Sequence, residues 1–331
     1  MDKEQEILIS SRIRLARNLK DYKFPKKMSE EESNKVIEET SKALDRIGLN
    51  YKLTYMKDLT DIEKNKLIES HLISPALAEN KRNGAFLLSP NEKVSIMINE
   101  EDHIRIQTLE NNLSLEECWD LANKIDDVLE ESLNYAFDKE LGYITSCPTN
   151  IGTGMRASVM LHLPALSLTN QIERLLYGVS QIGVAVRGVY GEGTKSMGHL
   201  FQISNQGTLG SSEETLIEKI TQIVTQIVEK EQLTREQLKK NNLYEIEDEA
   251  YRAYGILTNA RRMTTAEAMR LLSILKLGKE MNIIDKIKNK NLYLLMVKIQ
   301  PNNITSLLNE KNSIHDRDVE RAELLRNELI S

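Results

Sequence analysis

Cysteine and histidine are scarce in this sequence of 331 residues. It contains two cysteines, Cys118 and Cys147, and five histidines that lack the spacing of metal ligands. Two cysteines cannot build a disulfide framework or a zinc site. We therefore expect a protein of a reducing, cytoplasmic environment with no metal site of its own.

Long apolar runs and an excess of positive charge are also missing. No segment approaches the roughly 18 uninterrupted apolar residues of a membrane helix. The start, MDKEQEILIS, has no basic region followed by a long apolar stretch. The 44 Lys and Arg against 50 Asp and Glu give a net charge of -6, which argues against a general nucleic-acid-binding protein. We expect a soluble protein that binds neither membranes nor nucleic acid directly.

Glycine is sparse as well, yet the stretch GVYGEGTKS contains three of the 15 glycines. Gly188 and Gly193 have the separation found in a phosphate-binding P-loop, in which a lysine and a hydroxyl residue follow at once. Here Thr194 follows, Lys195 comes one place late, and Glu192 adds negative charge where phosphates would bind. The stretch is therefore not a P-loop, and a nucleotide would have to be held in another way.

Four segments begin with Ser or Thr followed three residues later by Glu, the capping box of a helix start. They begin at Ser29, Ser114, Ser211 and Thr264. The first continues with apolar residues at helical spacing and stops at Gly48, which suits left-handed termination. The second and third carry apolar stripes that predict helices covering a sheet.

Short runs between these helices alternate apolar and polar residues, as strands with one buried face do. In SSRIRLARN, Ile13 and Leu15 alternate with Arg12 and Arg14, so a strand would project both arginines to one side. The runs are hairpin-like and half polar, whereas parallel strands read as continuous apolar runs. The pattern predicts an α+β fold with a central antiparallel sheet flanked by helices.

The character of the chain changes near residue 232. Beyond it the strand-like runs disappear, EQLTREQLKKNN is strongly polar, and the remaining sequence predicts several helices. We place a domain boundary there. Residues 1–232 form the predicted α+β domain, and residues 233–331 form an all-helical C-terminal domain.

Three polar stretches each have an ordinary structural interpretation. NEEDHIR, which contains Glu101, is typical of a solvated turn. SCPTNIGTGMRAS is typical of a tight turn around a buried cysteine, Cys147. SSRIRLARN, taken alone, is consistent with a strand edge protected by cations.

Taken together, the stretches indicate a shared site for a polyanion. They place five arginines in strand or Gly-rich contexts: Arg12, Arg14, Arg105, Arg156 and Arg187. Planar guanidinium groups grip phosphate oxygens without a P-loop lysine. A Mg-nucleotide would suit such a cluster, because phosphoryl transfer depends mostly on positioning and on cancellation of charge.

The same stretches, with the segment from RGVYGEGT to FQISN, resemble in sequence and order the signature segments of the phosphagen (guanidino) kinases. The resemblance covers roughly residues 7–210. Those enzymes move the terminal phosphate of ATP onto a guanidinium nitrogen. The resemblance implies that the five arginines, with Ser10 and Ser11, bind ATP and its Mg²⁺. It also implies that Glu101 and Glu192 are catalytic carboxylates and that Cys147 lies beside the acceptor.

The acceptor explains why carboxylates are needed. A guanidinium has a pKa above about 12 and no free lone pair, so it attacks only if it is held in line and loses a proton. Two carboxylates can fix its planar group and accept that proton. Cys147 either polarises the acceptor as a thiolate or simply packs in the site.

The chain also departs from the small-substrate phosphagen kinases. Its first signature begins at Ser10, so we expect it to lack the N-terminal helical domain that closes over creatine or arginine and to have a helical C-terminal extension instead. This arrangement resembles the bacterial protein-arginine kinases, which phosphorylate arginine side chains of other proteins. Met160 stands where many phosphagen kinases have a histidine close to the adenine.

The extension contains HDRDVERAELLR, which by itself is typical of an exposed helix with opposite charges at helical spacing. In protein-arginine kinases the segment RDxxRA resembles a phosphoarginine-binding site. By that resemblance, Arg317 and Arg321 would hold the phosphate and Asp318 would meet the guanidinium.

The resemblance implies ATP-dependent phosphorylation of exposed arginines, which marks proteins for a Clp protease and relieves stress-gene repression. Implied partners are a zinc-binding activator protein, a Clp ATPase, a stress-gene repressor and a second copy in a homodimer. Two alternatives stay open. One is a kinase for a free guanidino compound, and the other is a catalytically silent module that reads phosphoarginine or binds a transcription factor.

Overall fold

The computed structural model describes residues 7–48, 50–190, 196–287, 289–308 and 313–330. Its strands are β1 Leu8–Arg17, β2 Lys52–Tyr55, β3 Ala85–Leu88, β4 Val94–Ile98, β5 Ile104–Asn111, β6 Phe137–Asp138, β7 Gly142–Tyr143, β8 Met155–His162, β9 Val184–Gly188 and β10 Leu200–Asn205. Its helices in the first two thirds of the chain are α1 Glu30–Leu44, α2 Asp61–Glu69, α3 Pro75–Glu79, α4 Leu115–Glu130, α5 Pro164–Leu168, α6 Ile172–Ser180 and α7 Glu213–Asn241. The C-terminal helices are α8 Leu243–Asn259, α9 Thr265–Glu280, α10 Leu292–Lys298, α11 Pro301–Thr305 and α12 Ile314–Ile330.

Eight strands form one sheet in the order β2-β3-β4-β5-β1-β8-β10-β9. Every neighbouring pair in it is antiparallel. Strands β6 and β7 form a separate two-stranded ribbon. The predicted α+β fold with a central antiparallel sheet is therefore confirmed.

Strand β1 lies in the middle of the sheet and shows the predicted alternation. Ile13 and Leu15 are fully buried on the face that packs against helices α1, α4 and α7. Arg12 and Arg14 occupy the alternate positions and are only partly buried, so they project from the opposite face. The helices cover the apolar face of the sheet, which leaves the opposite face available for arginines.

Strand β4 differs from the prediction of one open face. All five of its residues are buried. On one side Ile96 belongs to the main core, and on the other Met97 packs with Phe86 and Leu77 in a smaller cluster. Helices α2 and α3 supply the residues that close this second side.

The predicted helix starts are confirmed in part. Ser29 makes a complete capping box and Thr264 caps α9. Helix α4 does begin after Ser114, but the serine hydroxyl makes no cap bond, since it donates to the Asn111 carbonyl. Helix α7 begins after Ser212, one residue later than predicted.

Other helix starts were not predicted, among them the capping box that Thr60 and Glu63 form before α2. A short 3-10 turn, Asp45–Ile47, continues α1, and Gly48 at its end has the expected left-handed φ of 67°. The Gly48 prediction is therefore confirmed.

Among its described residues, the C-terminal region consists of helices and their connections, without a strand. Helix α7 runs without a break through residue 232, so the domain boundary there stays a prediction. A second core joins the helices α8, α9, α10 and α12 with Met160, Val189 and Leu200 of the sheet region. The C-terminal helices thus pack directly on the part of the sheet that lies next to Arg12.

Membrane insertion by a helix finds no support in the structure. Among the described residues, every helix is too short or too polar to cross a bilayer.

Candidate active site

A cavity of about 170 Å³ lies on the arginine-bearing face of the sheet. Its lining residues are Arg14, Ala16, Glu101, Arg105, Cys147, Thr149, Asn150, Gly154, Arg156 and Arg187. Residues from four separate stretches of sequence therefore meet in one place. This cavity is the candidate active site.

The register of the central strands brings three of the arginines together. Arg14 on β1 stands opposite Arg156 on β8. On the other side of β1, Arg105 of β5 stands opposite Ala16. Because alternate residues of a strand share a face, the three guanidinium groups point into the same cavity.

Two further arginines complete the row. Arg187 lies on β9 opposite Gln202 of β10, and its side chain is exposed in the cavity. Arg12 does not line the cavity itself, but it lies on the same face and donates from Nη2 to Gln202 Oε1 at 3.0 Å. All five predicted phosphate ligands therefore share one surface.

The arginines lower one another's affinity for protons. Burial lowers the pKa of Arg14 well below its ordinary value, and the charges of Arg12, Arg105 and Arg156 add to this effect. Burial, followed by Arg156, lowers the pKa of Arg12 to about 10. Such mutual repulsion costs folding free energy that a bound polyanion would recover.

One buried nitrogen atom of the arginine cluster lacks a hydrogen-bond partner among the described residues. Nε of Arg14 is buried and has no hydrogen-bond acceptor among the described residues. A buried donor without an acceptor is unusual in a folded protein. A phosphate oxygen in the cavity would satisfy it.

The acidic stretch NEEDHIR is not a solvated turn, because most of it is buried. Glu100 is 7% exposed and Asp102 and His103 are fully buried. Oδ1 of Asp102 accepts from Ser146 N at 2.6 Å, which joins this turn to the loop that carries Cys147.

The two glutamates have different surroundings. Glu100 accepts from Arg105 Nη1 at 2.6 Å and also from the Ser74 hydroxyl, so it holds that guanidinium in place. The side chain of Glu101 is 40% exposed, and its Oε2 lies 3.5 Å from Arg105 Nη2. Glu101 therefore faces the cavity with a carboxylate that is free to meet a second guanidinium.

The loop with Cys147 also lines the cavity. The side chain of Cys147 is only partly buried, whereas the tight-turn interpretation has it fully buried. Its Sγ lies 3.0 Å from the Thr149 hydroxyl oxygen. Gly154 has a φ of 63°, and a Cβ there would come within 2.6 Å of the Ala16 carbonyl oxygen. Glycine is needed at this position, because the loop approaches β1 closely.

The predicted serines do not behave alike. Ser10 follows the alternation of Arg12 and is partly buried on the arginine side. Ser11 points to the helix side, where its hydroxyl donates to Asn112 O at 2.6 Å and accepts from Ser114 N at 3.0 Å. The prediction of Ser11 as a nucleotide ligand is therefore wrong for its side chain, since the alternation turns it away from the cavity.

Glu192, the second predicted catalytic carboxylate, lies outside the described residues.

Comparisons with known proteins identify the family. Residues 32–234 match the ATP:guanido phosphotransferase C-terminal catalytic domain. The chain belongs to the ATP:guanido phosphotransferase family. Residues 243–331 match a second family, described as the protein-arginine kinase McsB C-terminal domain.

Proteins named protein-arginine kinase resemble the chain over nearly its whole length. It is 48% identical over 326 residues to a protein-arginine kinase of Clostridium kluyveri, covering 98% of this chain and 94% of that protein. It is also 48% identical over 332 residues to a protein-arginine kinase of Caldanaerobacter subterraneus, covering 98% of each. Among solved structures, lombricine kinase superposes with a TM-score of 0.59 at 25% identity, covering 70% of this chain and 67% of that one.

The C-terminal motif is more buried than its sequence suggests. Asp318 is 4% exposed and Arg321 is 2% exposed, and they pair at 2.8 Å. Arg321 also donates to Ile299 O and Met263 O. The interpretation as a solvated helix is wrong for these two residues, whereas Arg317 is only partly buried.

Sequence reasoning missed several residues that shape the cavity. Thr149 and Asn150 line it, and Glu100 fixes Arg105. The doubled glutamate of NEEDHIR was visible in the sequence, but only the structure shows that Glu100 binds Arg105 closely, whereas Glu101 makes a long contact with it and stays 40% exposed.

Proposed function

We propose that this protein phosphorylates arginine side chains of other proteins with ATP. The observation that carries the proposal is the cavity, which combines a row of arginines with the exposed carboxylate of Glu101. The arginines suit the phosphates of Mg-ATP, and the carboxylate suits a guanidinium. The names of the relatives, protein-arginine kinase, support the same activity.

In this proposal Mg-ATP enters as a substrate and its phosphates lie along Arg12, Arg14, Arg105, Arg156 and Arg187. Among the described residues, no group of three His, Cys, Asp or Glu is arranged to hold a metal ion. The ion is thus expected to arrive with the nucleotide and to be held mainly by phosphate oxygens. The arginines orient the terminal phosphate and offset its charge.

Glu101 is proposed to orient the acceptor and to take its proton. Its Oε2 already lies 3.5 Å from one guanidinium nitrogen, that of Arg105, so the position suits hydrogen bonding to a substrate guanidinium after a small adjustment. As the N–P bond forms and the bond from phosphorus to the ADP oxygen breaks, a proton passes from nitrogen to the carboxylate. Glu192 is proposed as the second carboxylate and Cys147 as a neighbour of the acceptor.

Regulation is proposed to involve α12. Arg317 would contact the phosphate of a phosphoarginine, and Asp318 would meet its guanidinium. Oδ2 of Asp318 already lies 3.5 Å from Nε of Arg262, whose side chain is 59% exposed. A ligand guanidinium could take the place of Arg262. Arg321, being buried, would hold Asp318 in position rather than reach the ligand.

The wider setting is also a proposal. We expect a cytoplasmic homodimer with a zinc-binding activator protein, with a Clp ATPase that receives the marked proteins, and with a stress-gene repressor among the substrates. The support is the match of residues 243–331 to the protein-arginine kinase C-terminal domain.

A transfer assay tests the activity. The protein is incubated with Mg-ATP and a mixture of unfolded proteins, beside a sample with free arginine, and acid-labile phosphoarginine is measured by mass spectrometry. Phosphoarginine in the proteins is the expected result. Transfer only to free arginine would favour the small-substrate kinase, and nucleotide binding without transfer to either would favour the silent module.

A further inference from the structure

The end of α2 touches both the C-terminal helices and the segment after β9. Glu69 is the last residue of α2. Its carboxylate accepts from the backbone N–H groups of Asn302 and Asn303, each at 2.9 Å. It also accepts from their side-chain Nδ2 atoms, at 2.7 and 3.0 Å. One carboxylate thus caps the start of α11 with four donor groups.

The backbone of the same residue holds a tyrosine from the catalytic region. The hydroxyl of Tyr190 donates to the Glu69 carbonyl oxygen at 3.0 Å. Burial raises the pKa of Tyr190, so its hydroxyl stays protonated and remains a donor. Its ring packs on His71, with the ring centres 5.3 Å apart.

Tyr190 follows closely on the end of β9. Arg187 lies three residues before it, and in between Val189 N donates to Leu200 O at 2.9 Å. Arg187 itself is exposed, so its direction depends on the backbone that carries it. The backbone of Tyr190 has a φ of 57°, a costly conformation for a residue with a side chain, which surrounding contacts must maintain.

We infer that Glu69, Tyr190 and the start of α11 form an interdomain clasp that positions Arg187 for nucleotide binding. The C-terminal helices hold Glu69, Glu69 holds Tyr190, and Tyr190 fixes the end of β9. Tyr190 and Glu69 are positioning residues in this account and do not touch the nucleotide. The inference rests on the proposed use of Arg187 as a phosphate ligand.

The inference can be tested by nucleotide binding alone. The Kd of Mg-ATP is measured by calorimetry for the full chain and for Tyr190→Phe, which keeps the ring on His71 but loses the hydroxyl. We expect the Kd to rise about fivefold, the size of one hydrogen bond. Asn302→Ala, which weakens the clasp from the C-terminal side, should act in the same direction. Tyr177→Phe, at a tyrosine that is 69% exposed, is the matched control and should leave the Kd within twofold.

A double-variant cycle separates positioning from general damage. In an Arg187→Lys background, Tyr190→Phe should change the Kd by less than twofold, because the guanidinium that it positions is gone. If the Kd of the double variant rose by the product of the two single-variant factors, the inference would be overturned. It would also be overturned if Tyr190→Phe changed the Kd no more than Tyr177→Phe does. An Arg187→Lys variant with unchanged Kd would also count against it.

The acceptor plays no part in these titrations. If the wild-type chain binds Mg-ATP but phosphorylates no protein arginine, the proposed function fails while the clasp is still tested. If the cycle shows independent effects in a chain that does phosphorylate arginine, the clasp fails and the proposed function stands.

Discussion

Two arginines on the same strand teach what distinguishes a structural cation from a binding cation. Arg17 and Arg14 lie three residues apart on β1 and point to opposite faces. Arg17 is 1% exposed and pairs with Asp126 at 2.6 Å. Burial lowers the pKa of Arg17, but the charge and hydrogen bonds of Asp126 outweigh burial and raise it above the ordinary value.

Arg14 has the opposite balance. Burial and three neighbouring arginines lower its pKa, and its Nε has no acceptor among the described residues. Burial of an arginine therefore says little about its role. A guanidinium on which burial and like charges outweigh the nearest carboxylate, as they outweigh Glu100 on Arg14, indicates a missing anionic partner.

The largest expected effect is on stability and comes from removing the carboxylate that pairs with Arg17. Asp126→Asn leaves Arg17 buried without its carboxylate, so the free energy of unfolding should fall by about 3–5 kcal/mol. Urea denaturation followed by circular dichroism measures this. At a temperature where the variant is folded, its Kd for Mg-ATP should match that of the wild type. A loss of stability below about 1 kcal/mol would contradict the assignment of Arg17 as a structural cation.

The next effect tests the carboxylate on the binding side. Glu101→Gln should lower turnover at least about a hundredfold, the usual scale for loss of a positioned base, and should leave nucleotide binding nearly intact. Steady-state phosphoarginine formation gives the turnover. Glu79→Gln changes an exposed glutamate at the end of α3 and is the control. Near-normal arginine phosphorylation by Glu101→Gln would remove Glu101 from the catalytic role.

A conservative exchange sharpens the comparison within the cluster. Arg156→Lys keeps the charge but loses the planar two-point grip on phosphate oxygens. Its kcat/KM for Mg-ATP should drop about tenfold or more, while Lys195→Ala, outside any P-loop, should cost less than about threefold. Initial rates at varied Mg-ATP compare the two. If Arg156→Lys kept its kcat/KM and Lys195→Ala lost it, the P-loop interpretation would have to be considered again.

A smaller effect concerns His71 and the dependence of stability on pH. Burial lowers the pKa of His71 to about 4, below its ordinary value of 6.5. The unfolded chain therefore binds a proton between these pH values that the folded chain does not, so this contribution to stability is lost as pH falls from 6.5 toward 4. His71→Asn should flatten the dependence of the unfolding free energy on pH in this window. The exposed His315 provides the control variant His315→Asn, and equal slopes for both variants would contradict the account.

Much of the fold could be predicted from local patterns. The alternation of Ile13 and Leu15 with Arg12 and Arg14 is a property of one strand, so the sequence alone shows which face carries the arginines. The capping box at Ser29 is equally local. The covering of β4 on both faces could not be predicted, because it depends on α2 and α3 folding back from earlier in the chain.

The site was predictable in composition but not in geometry. The five arginines and Glu101 were identified from motifs. The direction of Ser11 follows from the same alternation as Ile13, but its hydrogen-bond partners, about 100 positions away, could not be predicted. The burial of Arg321 was also not visible, because its acceptor carbonyls at Met263 and Ile299 lie in the connections before α9 and after α10. Long-range partners decide whether a charged residue is structural or available.

The most direct test of the central claim compares Arg14→Gln with Arg17→Gln in unfolding experiments with and without Mg-ATP. Without nucleotide, Arg14→Gln should keep the free energy of unfolding within about 1 kcal/mol of the wild type, while Arg17→Gln should lose about 3–5 kcal/mol. Mg-ATP at a hundred times the wild-type Kd should add about 2.7 kcal/mol to the wild type and much less to Arg14→Gln. Destabilisation of Arg14→Gln equal to that of Arg17→Gln, with nucleotide stabilisation retained, would contradict the account.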